Sequence, residues 1–219
     1  MRLKSLVIAA AAAGLLAPAF AQAQAQFKDG DWMVRVRAVD LLFQNGQGGG
    51  NGSVAAYKIK AENQVIPEFD VSYFFTKNIA AELVLTWPQN ISIDANLGSG
   101  NQKVGTIKAL PPSLVLQYHF TDLGAVKPYV GVGVNYTTFT NRSNFPTAPI
   151  NNTITVDSSS WGFVGQVGLD YMFDKNWGVN VDVKYITMAT NINSTSGTVN
   201  LGKLTLNPWT PGIGIAYKF

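Results

Sequence analysis

The last eight residues, Gly212-Ile213-Gly214-Ile215-Ala216-Tyr217-Lys218-Phe219, alternate strictly. Ile213, Ile215, Tyr217 and Phe219 fall on one face, and Gly212, Gly214, Ala216 and Lys218 on the other. A strand that runs apolar to the final residue offers an open edge, which a soluble domain avoids. The ending therefore reads as the closing strand of a membrane β-barrel, where an earlier strand covers that edge.

Seven further segments repeat the period of two. Strand 1, about Trp32 to Leu41, sets Val34, Val36 and Ala38 against Arg35 and Arg37. Strand 2, about Ile66 to Thr76, turns Phe69, Val71, Tyr73 and Phe75 out and Glu68, Asp70 and Ser72 in. Strand 3 starts near Ile79, with Glu82, Val84 and Thr86 inward; strand 4, about Lys108 to Phe120, has Ser113, Val115, Gln117 and His119 inward. Strands 5, 6 and 7, about Pro128 to Thr140, Ser160 to Phe173 and Trp177 to Thr190, continue the pattern. The connections after strands 2, 4 and 6 are short, whereas those after strands 1, 3, 5 and 7 exceed a dozen residues and carry Gly, Asn, Ser and Pro. The expected fold is an eight-stranded antiparallel transmembrane β-barrel with short periplasmic turns and long extracellular loops.

Of the 219 residues, the first 21 run from Arg2 and Lys4 through an apolar stretch, Leu6 to Leu16, to Ala19-Phe20-Ala21. That order is a secretory signal peptide, leaving residues 22–219 as the barrel. Without Arg2 and Lys4, Lys+Arg falls from 16 to 14 against 13 Asp+Glu, so the net charge falls from +3 to +1. No basic surface for nucleic acid remains. Zero cysteines exclude a disulfide framework. Hydrophobic residues make up 47% of the chain without accumulating into a membrane helix, as alternate positions on strands allow. Tyr73, Phe75, Tyr118, Phe120, Tyr171, Phe173, Trp177, Tyr217 and Phe219 all fall beside the short turns and form an inner-interface girdle. On a soluble, lipocalin-like barrel that surface would aggregate.

Arg35, Arg37, Lys184 and Lys218 face inward, as do Glu68, Asp70, Glu82, Asp170 and Asp182. An eight-stranded lumen is barely wider than its side chains, so these charges are expected to pair and plug it, although a lining for polar solutes is the other reading. Catalysis finds little support, because the single histidine, His119, lies near the short-turn rim, away from any outer-leaflet Ser partner. One His and no Cys give no metal cluster, and no cofactor is expected. Gly162, Gly165 and Gly168 lie within a strand and are not a phosphate loop. Pro111-Pro112 removes two ladder donors from strand 4. It marks either a lateral opening between strands 3 and 4 or the place where a loop joins the strand.

The segments Lys103 to Pro112, Gln117 to Phe120, Pro128 to Gly131 with Asn135 to Thr137, Ser160 to Gly162 with Gly165 to Gly168, and Asn207 to Trp209 followed by Tyr217 to Phe219 together resemble the OmpW family of outer-membrane proteins. The resemblance spans the mature chain. It implies an eight-stranded barrel with a narrow, apolar upper channel that passes small hydrophobic molecules sideways into the outer membrane. It favours the lateral opening at Pro111 and Pro112, with Val84 as channel floor and Thr86 beside it. Lys184 is less expected near such a floor. Tyr217 and Phe219 resemble the signal read by the outer-membrane insertion machinery. The expected function is passive uptake of a small hydrophobic ligand in contact with outer-membrane lipid and lipopolysaccharide. The alternative is a non-transporting envelope or surface-receptor barrel.

Overall fold

In the computed structural model, which describes residues 25–98, 100–147, 150 and 152–219, eight long strands run alternately up and down. They are β1 (Trp32–Leu41), β2 (Gln64–Phe74), β3 (Ile79–Thr86), β4 (Ser113–His119), β5 (Val126–Thr140), β6 (Ser159–Met172), β7 (Trp177–Ile186) and β8 (Trp209–Lys218). The expected signal peptide, residues 1–21, lies outside the described residues. Each strand pairs antiparallel with the next in sequence, and β8 returns to β1 with Met33 opposite Lys218 and Val36 opposite Ile215. The eight-stranded antiparallel barrel expected from the alternation is the fold, and the terminal strand has no open edge.

Side-chain oxygens shape the short turns. The Thr76 hydroxyl accepts the Asn78 and Ile79 N–H groups at 3.2 and 3.0 Å. The Asp174 carboxylate accepts those of Trp177 and Asn176 at 2.6 and 2.7 Å. These two bonds, Trp177 first, hold the Asp174 carboxyl below the usual carboxylate range. Such local bonds fix a turn without tertiary support.

The outer wall is exposed and apolar, and aromatic residues band both of its rims. Beside the short turns, Trp32 meets Tyr73, Tyr118 meets Phe120, and Tyr217 meets Trp177 and Phe219, with ring centroids 4.7–5.1 Å apart. A second band, not anticipated from the sequence, holds Tyr136 on Trp161 and Tyr185 on Trp209 at the opposite rim. Two aromatic belts around an apolar wall are what a bilayer with two interfaces selects.

The four long connections are more regular than their Gly, Asn and Ser content suggests. Gln89–Asn96 pairs with Asn101–Leu110, and Ala189–Ser194 with Asn200–Thr205. The first long connection links these ribbons, Lys60–Ala61 adding to the former and Gly46–Gly48 to the latter. Ile154–Val156 completes the collar against Ala189–Ser194. On the collar, the Lys60 ammonium lies 2.7 Å from Glu62. That hydrogen bond lowers the Glu62 carboxyl and raises Lys60, while burial raises the neighbouring Asp94 carboxyl.

Several strand boundaries differ from the sequence reading, strand 5 starting at Val126, two residues before Pro128. Strand 2 covers Gln64–Phe74, so it starts and stops two residues early. Strand 7 stops at Ile186, where the chain bends through Thr187 and Met188 into the second ribbon. The continuous strand expected over Lys108 to Phe120 is two strands, Asn101–Leu110 and β4, divided by Pro111 and Pro112. With φ fixed and no N–H to donate, two successive prolines cannot extend a ladder.

Candidate functional site

Inside the barrel the chemistry changes at one level. Counting inward positions from the short-turn rim towards the collar, Arg37 is followed by Val39 on β1, Glu68 by Ile66 on β2, and Glu82 by Val84 on β3. Gln117 is followed by Val115 on β4, Gln166 by Val164 on β6, and Lys184 by Ile186 on β7. All twelve side chains are buried, and the six apolar ones belong to a single cluster. On these six strands the seam separates charged or amide side chains from the apolar ones above them, while Ser113, Asn135 and Thr137 are buried polar positions on the upper side.

The lower half is a dense ion-pair network. Arg35 reaches Asp170 at 2.8 Å, Asp70 at 3.1 Å and Glu82 at 3.4 Å. Arg37 reaches Asp70 at 2.6 Å, Glu68 and Asp182 at 2.9 Å and Glu82 at 3.1 Å. Lys184 lies 2.9 Å from Glu68 and 2.8 Å from Asp182. Five carboxylates exceed three cations, and neutral amides supply further donors: Asn180 to Asp170, and Gln166 to Asp182, each at 2.8 Å. Eight of the nine residues expected in the network therefore meet. Lys218 does not; it pairs with Asp31 at 3.1 Å at the short-turn rim. Alternation assigns a side chain to the lumen but not to a height, and Lys218 stands below the network.

Beneath the plug a second layer closes the barrel. Phe27, in the segment before β1, packs on Phe74 with centroids 4.8 Å apart and clusters with Ala25, Met33, Ala80, Met172 and Ala216. His119 stacks on Tyr129 at 4.8 Å and is hydrogen-bonded to Gln117, which bonds Gln166. The lone histidine is thus tied into the plug.

Above the seam, the column from Val39, Ile66, Val84 and Val115 continues through Ile107, Phe139 and Phe145 into the collar. Against its collar end lies a cavity of about 300 Å³ lined by Tyr57, Ile59, Leu97, Ile150, Ile154 and Leu201 among others.

The wall is interrupted beside the seam. The last rung between β3 and β4 joins Val84 to Ser113, and pairing resumes only with Gln89 opposite Ala109. Leu85, Thr86, Trp87 and Pro88 thus face Leu110, Pro111 and Pro112 across a gap in the ladder. Trp87 is 79% exposed on the outside, while the Thr86 hydroxyl is buried without a partner among the described residues. On the other side of the prolines the wall is sealed. The Asn135 amide donates to the carbonyls of Pro111 and Pro112 at 3.2 and 3.1 Å, and Tyr136 N–H donates to Pro112 O at 3.1 Å. The Thr137 hydroxyl fixes that amide by donating to its oxygen at 2.7 Å.

Val84, Thr86, Pro111 and Pro112 are thus brought together around one gap. Sequence reading missed Asn135 and Thr137 as its supports, and Tyr129, Gln166 and Asn180 as members of the plug. Their inward positions on alternating strands were the available signal. Tyr217 and Phe219 lie in the lower aromatic belt, with Phe219 N–H donating to Trp32 O at 2.9 Å.

The family model described as "OmpW family" matches residues 28–219. The chain is 41% identical to the uncharacterized outer-membrane protein y4mB of Sinorhizobium fredii, over 96% of this chain and 90% of that protein. It is 31% identical to Outer membrane protein W of Escherichia coli, over 99% and 100% of the respective chains. Among solved structures it is similar to the crystal structure of the outer membrane protein OprG from Pseudomonas aeruginosa. That match has a TM-score of 0.72 and 28% identity, and covers 88% of this chain and 97% of that one.

Proposed function

Since the chain belongs to the OmpW family and is a barrel of the cell outer membrane, we propose that it is a passive channel carrying small hydrophobic molecules to its own side wall. A solute passes between the extracellular loops, moves along the apolar column, stops at the level of Val84 and leaves through the gap beside Thr86, Pro111 and Pro112. Every methylene in that column gains about 0.8 kcal/mol over water, and the bilayer beyond the gap offers the same gain. The route therefore runs downhill from the aqueous surface to lipid without an energy source. It bypasses the polar lipopolysaccharide layer that retards apolar compounds.

The observation that carries this reading is the coincidence of seam and gap. The ladder opens on the strand pair where the lumen changes from charged to apolar, and the plug and the Phe27 layer close the way below. The reading makes the barrel non-enzymatic, in contact with lipid and lipopolysaccharide outside and a hydrophobic ligand inside. Tyr217 and Phe219 serve its delivery by the insertion machinery.

Uptake of a small hydrophobic compound tests it, in cells lacking the protein and complemented by the parent or by the variant Pro111→Ala/Pro112→Ala. The variant is expected to insert normally and to lose most of the uptake the parent restores. Equal restoration by both would remove the lateral route. The collar of paired strands favours a second reading, a surface receptor, because it presents a rigid outer face; in that case collar substitutions abolish partner binding while uptake is absent throughout.

A further inference from the structure

The wall has a second interruption, unrelated to proline. Register pairing between β6 and β7 ends with Val164 opposite Ile186; Thr187 N–H still donates to Phe163 O at 2.9 Å, and the two chains rejoin where Asp157 N–H donates to Asn191 O at 3.2 Å and Val156 meets Ile192. In between they separate around a cleft of about 420 Å³. Side chains take over part of the ladder. Phe163 N–H donates to the Thr187 hydroxyl at 2.7 Å and Ala189 N–H to the Ser160 hydroxyl at 3.2 Å, while on the other side Met188 N–H donates to the amide oxygen of Asn207, just before β8, at 2.8 Å. The cleft is held open by polar groups that satisfy its backbone, so the wall keeps its shape there without closing.

The lining is suited to a phosphorylated sugar. Lys203 and the hydroxyls of Ser159 and Thr205 line the cleft, and the Asn207 amide nitrogen makes no bond to a described residue. Asp157 on the upper edge is occupied by the Asn191 and Asn193 amides at 2.7 and 3.2 Å, so it does not take up Lys203. Below, Trp161 and Phe163 are 72% and 73% exposed, and Trp161 belongs to the upper aromatic belt. The cleft therefore sits at the outer interface, polar above and apolar beneath, where headgroup and acyl chain of one lipid meet.

We propose that this cleft seats the phosphorylated sugar headgroup of a lipopolysaccharide molecule of the outer leaflet. Lys203 meets a phosphate, the hydroxyls and the Asn207 amide meet sugar hydroxyls, and the first acyl chain descends over Trp161 and Phe163. The site is independent of the uptake route, which opens between β3 and β4.

The test is equilibrium binding of labelled bisphosphorylated lipid A to the full chain folded in phosphatidylcholine bilayers. Lys203→Gln is expected to weaken binding about five-fold, as loss of one cation near an anionic lipid surface implies, and to leave dephosphorylated lipid A unaffected. Lys103→Gln, on the other ribbon, is expected to change nothing. The site is refuted if Lys203→Gln binds like the parent, or if Lys103→Gln loses as much. It is equally refuted if phosphatidylglycerol competes as well as lipid A, or inorganic phosphate displaces lipid A at equal concentration.

Discussion

The two halves of the lumen are built from the same strands and differ in what their contacts allow. In the plug below the seam the contacts are directional: Arg37 answers four carboxylates at 2.6–3.1 Å, and none can move without leaving another unpaired. Above it, Val39, Ile66, Val115 and Val164 touch through dispersion alone, which is shared among many weak contacts and has no preferred partner. A guest of similar polarity can take the place of such contacts at little cost, whereas nothing apolar can replace a guanidinium among carboxylates. On the proposed route one half stays shut and the other parts and closes again. The gap at Pro111 and Pro112 lies where the second kind of packing begins.

The largest expected effect breaks the lower half. Arg37→Met leaves Glu68, Asp70, Glu82 and Asp182 short of a partner and is expected to cost about 4 kcal/mol, seen as a fall in the urea midpoint of the bilayer-inserted barrel. A midpoint within error of the parent would mean that the plug is not the rigid half. Next is the seal beside the prolines. Asn135→Leu strands the Pro111 carbonyl and takes one of two donors from that of Pro112, and is expected to cost about 2 kcal/mol, with faster amide exchange at Tyr136 but not on β7. Unchanged exchange at Tyr136 would remove Asn135 from that role.

The upper half is expected to tolerate change. Ile66→Val removes one methylene and costs about 1 kcal/mol, with uptake unaltered, because only the apolarity of the column matters. A loss as large as that of Arg37→Met would erase the contrast between the halves.

The smallest effect lies on the collar. Glu62 has its folded value lowered, so its contribution is present above the ordinary glutamate value, roughly 4.3, and is lost as pH falls through the lowered one. Lys60 has its value raised, so its contribution is complete below roughly 10.4 and is lost as pH rises through the raised one. Asp94, raised by burial, works against the collar once ionised. The pair is partly exposed and is worth below about 1 kcal/mol. Acidification below the ordinary glutamate value is expected to speed exchange of the Glu62 amide, which donates to Ser92 O, and Glu62→Gln to flatten that dependence. A pH-independent rate in the parent, after correction for intrinsic exchange, would rule the pair out.

Much of this contrast was legible in the sequence because a strand has a period of two. Arg35 and Val36 differ by one residue and by lumen against lipid, and the step from Glu82 to Val84 already marks the seam. What alternation does not carry is height. Lys218 has the right face and the wrong level, and its partner Asp31 lies in the segment before β1. Nor does it carry register: Asn135 reaches Pro111 and Pro112 only because Ser113 pairs with Asn135 across β4 and β5. The collar strands stand where the sequence shows only long loops, because Gly46–Gly48 and Lys60–Ala61 become strands only through partners distant in sequence, where tertiary pairing overrides local preference.

Photolabelling with an alkyl diazirine small enough to enter the barrel measures the path itself. Cross-links are expected on Ile66, Val84 and Val115 inside and on Trp87 and Leu110 across the gap, with none on Phe27, Met33 or Phe74. Labelling of those three lower residues, or labelling of the column without Trp87 and Leu110, would contradict lateral release above a closed plug.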